Sequence, residues 1–389
     1  MTPSSTGTTT STPTTTPTHT ATQTPTQKPN VPPNCTGAVL ALRLDTGATN
    51  SVGVLSSLHF DEVYGTCAGG LRQPFAISTA TAGRYCTLTA GNGGWTYDHD
   101  GFPANSENRN LAFTVCYNEA PGTTVSLLGP YGVDVGKTIA VMDWTGAITF
   151  SAPILGLDTG GTAFESGIRQ AATVDGTAYW VVGEATGGAY GYVYIPSLTS
   201  PTPLVQLSGK TPAQPGWFDA RAVVTYRGAL YGVDSVEDIG WGGVFTIGSG
   251  LPAVASNPAA VLLPGFSGTA SLWTIVFQSP TIIWAAIDSG TYGTSLGSVV
   301  SFTLSAGNWA QSTAIIVDAF NAVYSLAGRF EGANFVLFTS TATTVYRIDT
   351  TVGNPCSIYS APSGSVFRGV ALSPCSPSMS STPTPSSTS

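Results

Sequence analysis

The sequence predicts an all-β fold, a β-propeller of about seven blades with six as the alternative count, and three observations predict it. Charged residues make up only 9% of the 389-residue chain while glycine alone supplies 46 residues, against a usual charged fraction of about 25%. From about residue 165 onward, four short apolar strand patterns recur in a fixed order. The pieces of one further unit stand at opposite ends of the chain.

The first pattern is read at Gly167-Ile-Arg-Gln-Ala-Ala-Thr, Arg221-Ala-Val-Val-Thr-Tyr, Leu272-Trp-Thr-Ile-Val-Phe, Val323-Tyr-Ser-Leu-Ala-Gly and Phe367-Arg-Gly-Val-Ala-Leu. The second follows a Gly- or Pro-bearing turn, as at Ala178-Tyr-Trp-Val-Val and Ala229-Leu-Tyr-Gly-Val-Asp, and the third includes Gly243-Val-Phe-Thr-Ile and Val299-Val-Ser-Phe-Thr-Leu. The fourth is shorter, as at Pro203-Leu-Val-Gln-Leu and Ala314-Ile-Ile-Val. The units return roughly every 45–55 residues, the period of a four-stranded propeller blade. In the first half, Leu58-His-Phe-Asp-Glu-Val-Tyr, Pro74-Phe-Ala-Ile-Ser and Arg84-Tyr-Cys-Thr-Leu are expected to form a blade, and Ala112-Phe-Thr-Val-Cys-Tyr to open the next.

Closure is the independent check on a ring. The chain begins with Ala38-Val-Leu-Ala-Leu-Arg-Leu-Asp, read as a third-type strand, and ends with the first-type strand at Phe367. Six cysteines, Cys35, Cys67, Cys86, Cys116, Cys356 and Cys375, include no Cys-x-x-Cys pair. An even count without metal-ligand spacing reads as disulfides, with 15 connectivities open. Cys35 precedes one closing strand and Cys375 follows the other, so a bond between them would lock the ring. Cys86 with Cys116 would bridge the insertion between them, which leaves Cys67 with Cys356.

Residues 1–34 and 376–389 are dominated by Thr, Ser and Pro, with almost nothing apolar to bury, so disordered tails flank a folded region at 35–375. Dense Thr and Ser beside Pro is the composition of O-glycosylated stalks, which act as extended spacers. Asn34-Cys35-Thr36 is an N-glycosylation sequon. No charged-then-apolar leader is read at the N-terminus, so the chain reads as a processed fragment or one module of a longer protein.

The net charge of −8 with only 13 Lys and Arg supplies no basic stripe to neutralise phosphates, which excludes nucleic acid as an expected partner. No apolar run approaches the ~20 residues a bilayer span needs. The strand Phe367-Arg-Gly-Val-Ala-Leu-Ser-Pro, leading directly into a Ser/Thr/Pro tract, resembles secreted repeat β-propellers joined by Pro/Thr-rich linkers in microbial and algal surface proteins. The resemblance spans residues 35–375 and implies a fold and a compartment, extracellular or on a cell or virion surface. It implies no active site.

Individual motifs favour structure over catalysis. Asp45-Thr-Gly and Asp158-Thr-Gly look like the paired loops of aspartic proteases, yet Asp349-Thr-Thr occupies the same place after its strand, so the repeat itself explains a strand-ending Asp turn. Gly293-Thr-Ser295-Leu-Gly297 matches a nucleophile elbow in letters only, because a strand rather than a helix follows and no His lies beyond His99. Asp98, Asp100 and Glu107 gather oxygen ligands in a Gly-rich stretch, which makes calcium the one cofactor suggested. Among eight Trp residues, Trp217 and Trp241 lie beside turns and Trp95 lies in the polar insertion, and these three are the candidate binding aromatics. No catalytic residue is assigned. The expected function is a binding or structural glycoprotein module presenting a propeller face to a glycan or an extracellular protein. The alternative is a secreted hydrolase using loop acids.

Overall fold

A computed structural model describes residues 37–46, 54–77, 83–89, 100–123, 136–154, 167–185, 191–200, 205–207, 218–234, 243–254, 260–266, 272–287, 297–319 and 321–377. Among them the secondary structure is entirely strand and turn. In chain order the strands are β1 (Ala38–Asp45), β2 (Leu55–Tyr64), β3 (Leu71–Ala76), β4 (Thr87–Thr89), β5 (Ala104–Asn105), β6 (Leu111–Tyr117), β7 (Lys137–Asp143) and β8 (Ile148–Phe150). There follow β9 (Ile168–Ala172), β10 (Tyr179–Ala185), β11 (Tyr192–Ile195), β12 (Val205–Leu207), β13 (Phe218–Tyr226), β14 (Ala229–Asp234), β15 (Gly243–Ile247) and β16 (Ala260–Leu262). The last are β17 (Leu272–Ser279), β18 (Ile282–Ile287), β19 (Ser298–Ser305), β20 (Asn308–Ile316), β21 (Ser325–Glu331), β22 (Asn334–Ser340), β23 (Thr344–Asp349), β24 (Pro355–Ser360) and β25 (Ser365–Leu372).

Antiparallel pairing sorts these strands into six four-stranded blades among the described residues. Five are sequential meanders: β5 to β8, β9 to β12, β13 to β16, β17 to β20 and β21 to β24. The sixth is composite, because β25 pairs with β1 along its length, and β2 and β3 follow in order. β4 adds a short link between β2 and β6. Three sequence expectations are corrected by this pairing. Ala38–Asp45 takes the second place in the closing blade rather than the third, since β25 contacts it directly. The segments at Leu58 and Pro74 complete that blade instead of founding another, and the strand at Ala112 is second in its blade behind β5. Among the described residues the blades therefore number six, the lower of the two expected counts.

The apolar alternation along each strand explains why the blades form a ring. In β1, Val39 and Ala41 pack with Val336, Phe338 and Val345 of the preceding blade, while Leu40, Leu42 and Leu44 pack with Ala112, Ala140 and Met142 of the following one. Successive side chains of a strand point to opposite faces, so one strand serves two interfaces. Among the described residues six such clusters occur, one for each pair of neighbouring blades around the circle. Each fully buried Leu, Val or Phe contributes about 1.5–3 kcal/mol.

Polar contacts fix the place where the ring meets itself. Asn105 of β5 accepts the Leu372 N–H through Oδ1 at 2.8 Å and donates Nδ2 to the Leu372 carbonyl at 2.8 Å. The Cys375 N–H reaches the Arg109 carbonyl at 2.9 Å. On the other side of the closing blade, Arg329 donates to the Gly37 and Ala38 carbonyls at 2.6 and 3.2 Å. Arg43 and Tyr359 both hold the buried Asp61 carboxylate, at 2.7 and 3.0 Å. Burial, then that carboxylate, pushes the Tyr359 hydroxyl up to about 12.

Two of the expected disulfides are present. Cys67 joins Cys356, tying the β2–β3 turn to the outer strand of the preceding blade, and Cys86 joins Cys116, pinning the chain entering β4 to β6. A cross-link spanning 289 residues restricts the unfolded chain by on the order of 5 kcal/mol on the chain-entropy estimate. Cys375 is disulfide-bonded; Cys35, its expected partner, lies outside the described residues, as does Asn34.

The Asn105 latch has a measurable weight. Replacing it (Asn105→Ala) leaves the Leu372 amide and carbonyl buried without these partners, and the expected loss is about 1–3 kcal/mol, read as a lower denaturation midpoint at unchanged slope.

Candidate functional site

Four of the sequence-predicted site residues, Trp95, Asp98, Trp217 and Trp241, lie outside the described residues. Asp100 and Glu107 stand at opposite ends of β5. Asp100 is completely buried and accepts the Tyr117 hydroxyl at 2.5 Å. Glu107 accepts the Arg227 N–H at 2.6 Å. Among the described residues, no three His, Cys, Asp or Glu side chains gather as a metal site.

The Asp-Thr turns resolve into structure. Asp143, Asp175 and Asp349 each accept the N–H and hydroxyl of the Thr two residues on, at 2.6–3.0 Å. These are side-chain-stabilised turns of the kind Asp favours, and the Thr351 contacts hold the Asp349 carboxyl below its usual value. Asp45 is engaged by Arg43, by His59 Nε2 at 2.8 Å and by the Ser365 hydroxyl at 3.0 Å. Asp158, the other half of the protease-like pair, lies outside the described residues.

The distinctive feature of the ring is a repeated irregularity near the start of its innermost strands. In β9 the pairing passes from Ile168 to Gln170 and skips Arg169. In β13 it skips Arg221, in β17 Trp273 and in β25 Arg368. A β-bulge adds one residue, bends the strand and re-aims the extra side chain. Here the extra residue is large in all four cases. The equivalent positions in the other two blades, just before β21 and β5, are the neighbourhoods of Tyr324 and Phe102.

These side chains meet at one level of the axis. The Arg221 guanidinium lies 3.8 Å from the centre of the Trp273 ring. Trp273 packs edge-on against Tyr324 at 4.9 Å and Phe102 at 6.0 Å. Phe102 belongs to the blade three steps from that of Trp273, so their contact crosses the axis and fills it with aromatic carbon. Arg169 donates to the Ala220 carbonyl at 3.4 Å, one residue from Arg221, and Arg368 to the Thr89 carbonyl at 2.8 Å. Gly369 is required beside Arg368: its φ is +149°, and a Cβ there would lie 2.6 Å from Ser325 and 2.8 Å from Pro103.

The rung carries buried charges as well as aromatic rings. Three buried guanidinium groups stand at the end of the ring where the innermost strands begin, with two buried carboxylates, Asp100 and Asp234, at the same end. The strand ends flanking Trp217 and Trp241 in sequence, Phe218 and Gly243, also stand there, since Gly243 pairs with Asp234 and β13 begins at Phe218. At the opposite end Arg109 has a left-handed φ of +61° and donates to the Gly328 carbonyl at 2.6 Å. Burial, and then the charge of Arg329, lower its pKa to about 10.

Sequence reasoning quoted all three arginines inside first-type strands but assigned them no role, because a period-two pattern does not announce a bulge. The available signal was their recurrence at one position of Gly167-Ile-Arg, Ala220-Arg and Phe367-Arg. Trp144 was also passed over. It sits in the turn between β7 and β8 and is 53% exposed, unlike the buried aromatics of the strands.

No family model matches the chain, and no curated protein matches it. Among solved structures, similarity extends to a nidogen/laminin complex, at 11% identity and TM-score 0.48, covering 87% of this chain and 99% of that one. A second is the Cps50 (Swd1) β-propeller domain of Myceliophteria thermophila, at 9% identity and TM-score 0.42, covering 87% and 98%. A third is the dihydro-heme d1 dehydrogenase NirN, at 13% identity and TM-score 0.38, covering 82% of this chain; the chain spans about half of that protein's length, 52%.

The two exposures of tryptophan set a direct test. Trp273→Ala, at a site 1% exposed, is expected to cost about 3–5 kcal/mol, whereas Trp144→Ala is expected to stay within about 0.5 kcal/mol of the parent, both measured by chemical denaturation.

Proposed function

We propose that this chain is an extracellular or surface-displayed recognition module, whose propeller presents one end of its ring to a glycan or protein partner. The observation that carries this reading is the axial rung of Arg169, Arg221 and Arg368 set among Phe102, Trp273 and Tyr324. Polar and aromatic side chains placed by rigid strands at one end of a ring are what a recognition surface requires, because their order is established before binding.

The disulfides support the compartment. Bonds such as Cys67–Cys356 and Cys86–Cys116 persist in oxidising surroundings and are rare in reducing ones. Thr/Ser/Pro tails at 1–34 and 376–389, glycosylated, serve as spacers that hold the ring away from the surface that bears it.

The test is binding by the whole chain, with its disulfides formed, to a glycan array and to a panel of extracellular matrix and cell-surface proteins. The expected result is selective capture of a small set of related ligands, lost on reduction. Absence of capture on both panels by protein with intact disulfides would contradict the reading.

A further inference from the structure

We infer that the outer edge of β20 is an interaction surface, and that the partner it takes is a second copy of this chain, whose own β20 pairs with it antiparallel about a two-fold axis. The contact is separate from the ring end assigned to recognition and does not rest on that reading.

An outermost strand has a ladder on one side only, so its other side offers unpaired N–H and C=O groups to any strand that approaches. Propellers keep such edges short and protected, and among the described residues five of the six outermost strands follow that rule. β8, β12 and β16 have three residues each. β3 carries Arg72 and Pro74, while β24 begins at Pro355 and is tied through Cys356 to the next blade. β20 departs from the rule. It is nine residues long, Asn-Trp-Ala-Gln-Ser-Thr-Ala-Ile-Ile, with no charge, no proline and no glycine.

Hydrogen bonding locates the open part of this edge. Among the described residues the sheet order ends at β20. The Trp309 N–H, which points away from β19, is taken by the Pro264 carbonyl at 2.8 Å. The ladder then shifts between Ser301 and Phe302, so Ser312 is the extra residue of a bulge and the outward side changes parity there. Beyond it the Thr313 N–H meets Ser301 Oγ at 3.1 Å, and the Val317 N–H meets the Gly297 carbonyl at 2.8 Å. Both lie on the β19 side, so by alternation the Ala314 and Ile316 amides point outward. Ile316 is 51% exposed. Gln311–Ile316 joins β-branched residues to an absence of charge, which is the composition that pairs most readily with another strand.

Charge selects the occupant. The chain has a net charge of −8, so two copies repel where their acidic surfaces meet. Strands β17 to β20 contain no Asp, Glu, Lys, Arg or His. Each of the other blades carries charges of both signs in its strands, as Lys137 and Asp143 do in β7 and Arg329 and Glu331 in β21. Asp318, the first charged residue after β20, is engaged by Asn321 and by the Tyr346 hydroxyl of the next blade. The uncharged edge that matches β20 is therefore β20 itself. A two-fold axis sets the strand against its own reverse, and the registers that match outward amides place Ala314 opposite its own copy or opposite the copy of Ile316. Neither register brings like charges together. A strand pair this short buries less than the ~1,200 Å² at which standard interfaces begin, so the association is weak and reversible.

The experiment is analytical ultracentrifugation of the intact chain, disulfides formed, over a concentration series, with amide exchange of Ala314 and Ile316 measured at both ends of the series. The weight-average mass is expected to rise toward twice the monomer value and no further, and the two amides to slow in step with the fraction of dimer. Ala314 is exposed, and Ala314→Lys and Ala314→Glu each set like charges against one another across the two-fold. Each alone is expected to weaken association at least tenfold. Their equimolar mixture sets Lys against Glu and is expected to restore association to near the parent level, which damage to the fold would not do. Should either variant fail to fold, the concentration dependence of exchange in the unaltered chain decides alone. A monomer whose Ala314 and Ile316 amides are protected at every concentration gives the edge to a segment of the same chain. A monomer in which both exchange fast at every concentration leaves it to the strand of another protein. Either result overturns the second copy, as does growth past the dimer. The glycan and protein panels report on the ring end, and their outcome is independent of this one.

Discussion

Everything in this molecule depends on the pairing of its last strand with its first. A four-stranded blade with apolar side chains on both faces has two surfaces to hide, and a row of such blades always leaves two unhidden. Only a ring removes them. β25 on β1 supplies the missing contact, since this one antiparallel register from Val39 opposite Leu372 to Asp45 opposite Ser365 completes a blade that carries both an interface to β22 and β23 and an interface to β6 and β7. The cost is a long-range contact formed between distant parts of the chain, with the loop-closure entropy that entails. Cys67–Cys356 offsets part of it from the unfolded side.

The size of the ring then sets the chemistry of its axis. With six blades, Phe102 and Trp273 touch across the centre, and Gly369 comes close enough to Ser325 and Pro103 to exclude a Cβ. Bulges at this level turn large side chains toward a channel already narrow, so arginine and tryptophan stack where a regular strand would have placed small apolar residues. Burial of several arginines together is costly unless each guanidinium has hydrogen-bonding partners. Backbone carbonyls of Thr89 and Ala220 provide some of them.

Much of the fold was legible because its signal is local. Period-two alternation in Leu272-Trp-Thr-Ile-Val-Phe or Asn334-Phe-Val-Leu-Phe-Thr, and the turn residues between them, identify strands without any knowledge of neighbours. Composite closure was legible from the strand fragments at the two ends of the chain. The place of β1 in its blade was not, because second and third strands are both buried on both faces and look alike in sequence. β5 was missed for a different reason: two residues, Ala104 and Asn105, carry no periodicity, and without them Ala112 reads as the start of a blade. The arginine rung was invisible as a site since its members lie more than fifty residues apart and only the ring brings them to one level.

Amide hydrogen exchange of β25 tests the closure most directly. A strand that completes the ring opens only when the ring does, so the amides that face β1, Ala371 opposite Leu40 and Ser373 bonded to the Ala38 carbonyl, are expected to exchange with the slowest class of the molecule, at the rate of global unfolding. Exchange of those two amides within minutes, while β22 and β18 remain protected, would show that the last strand is an appendage and the ring is not closed by it.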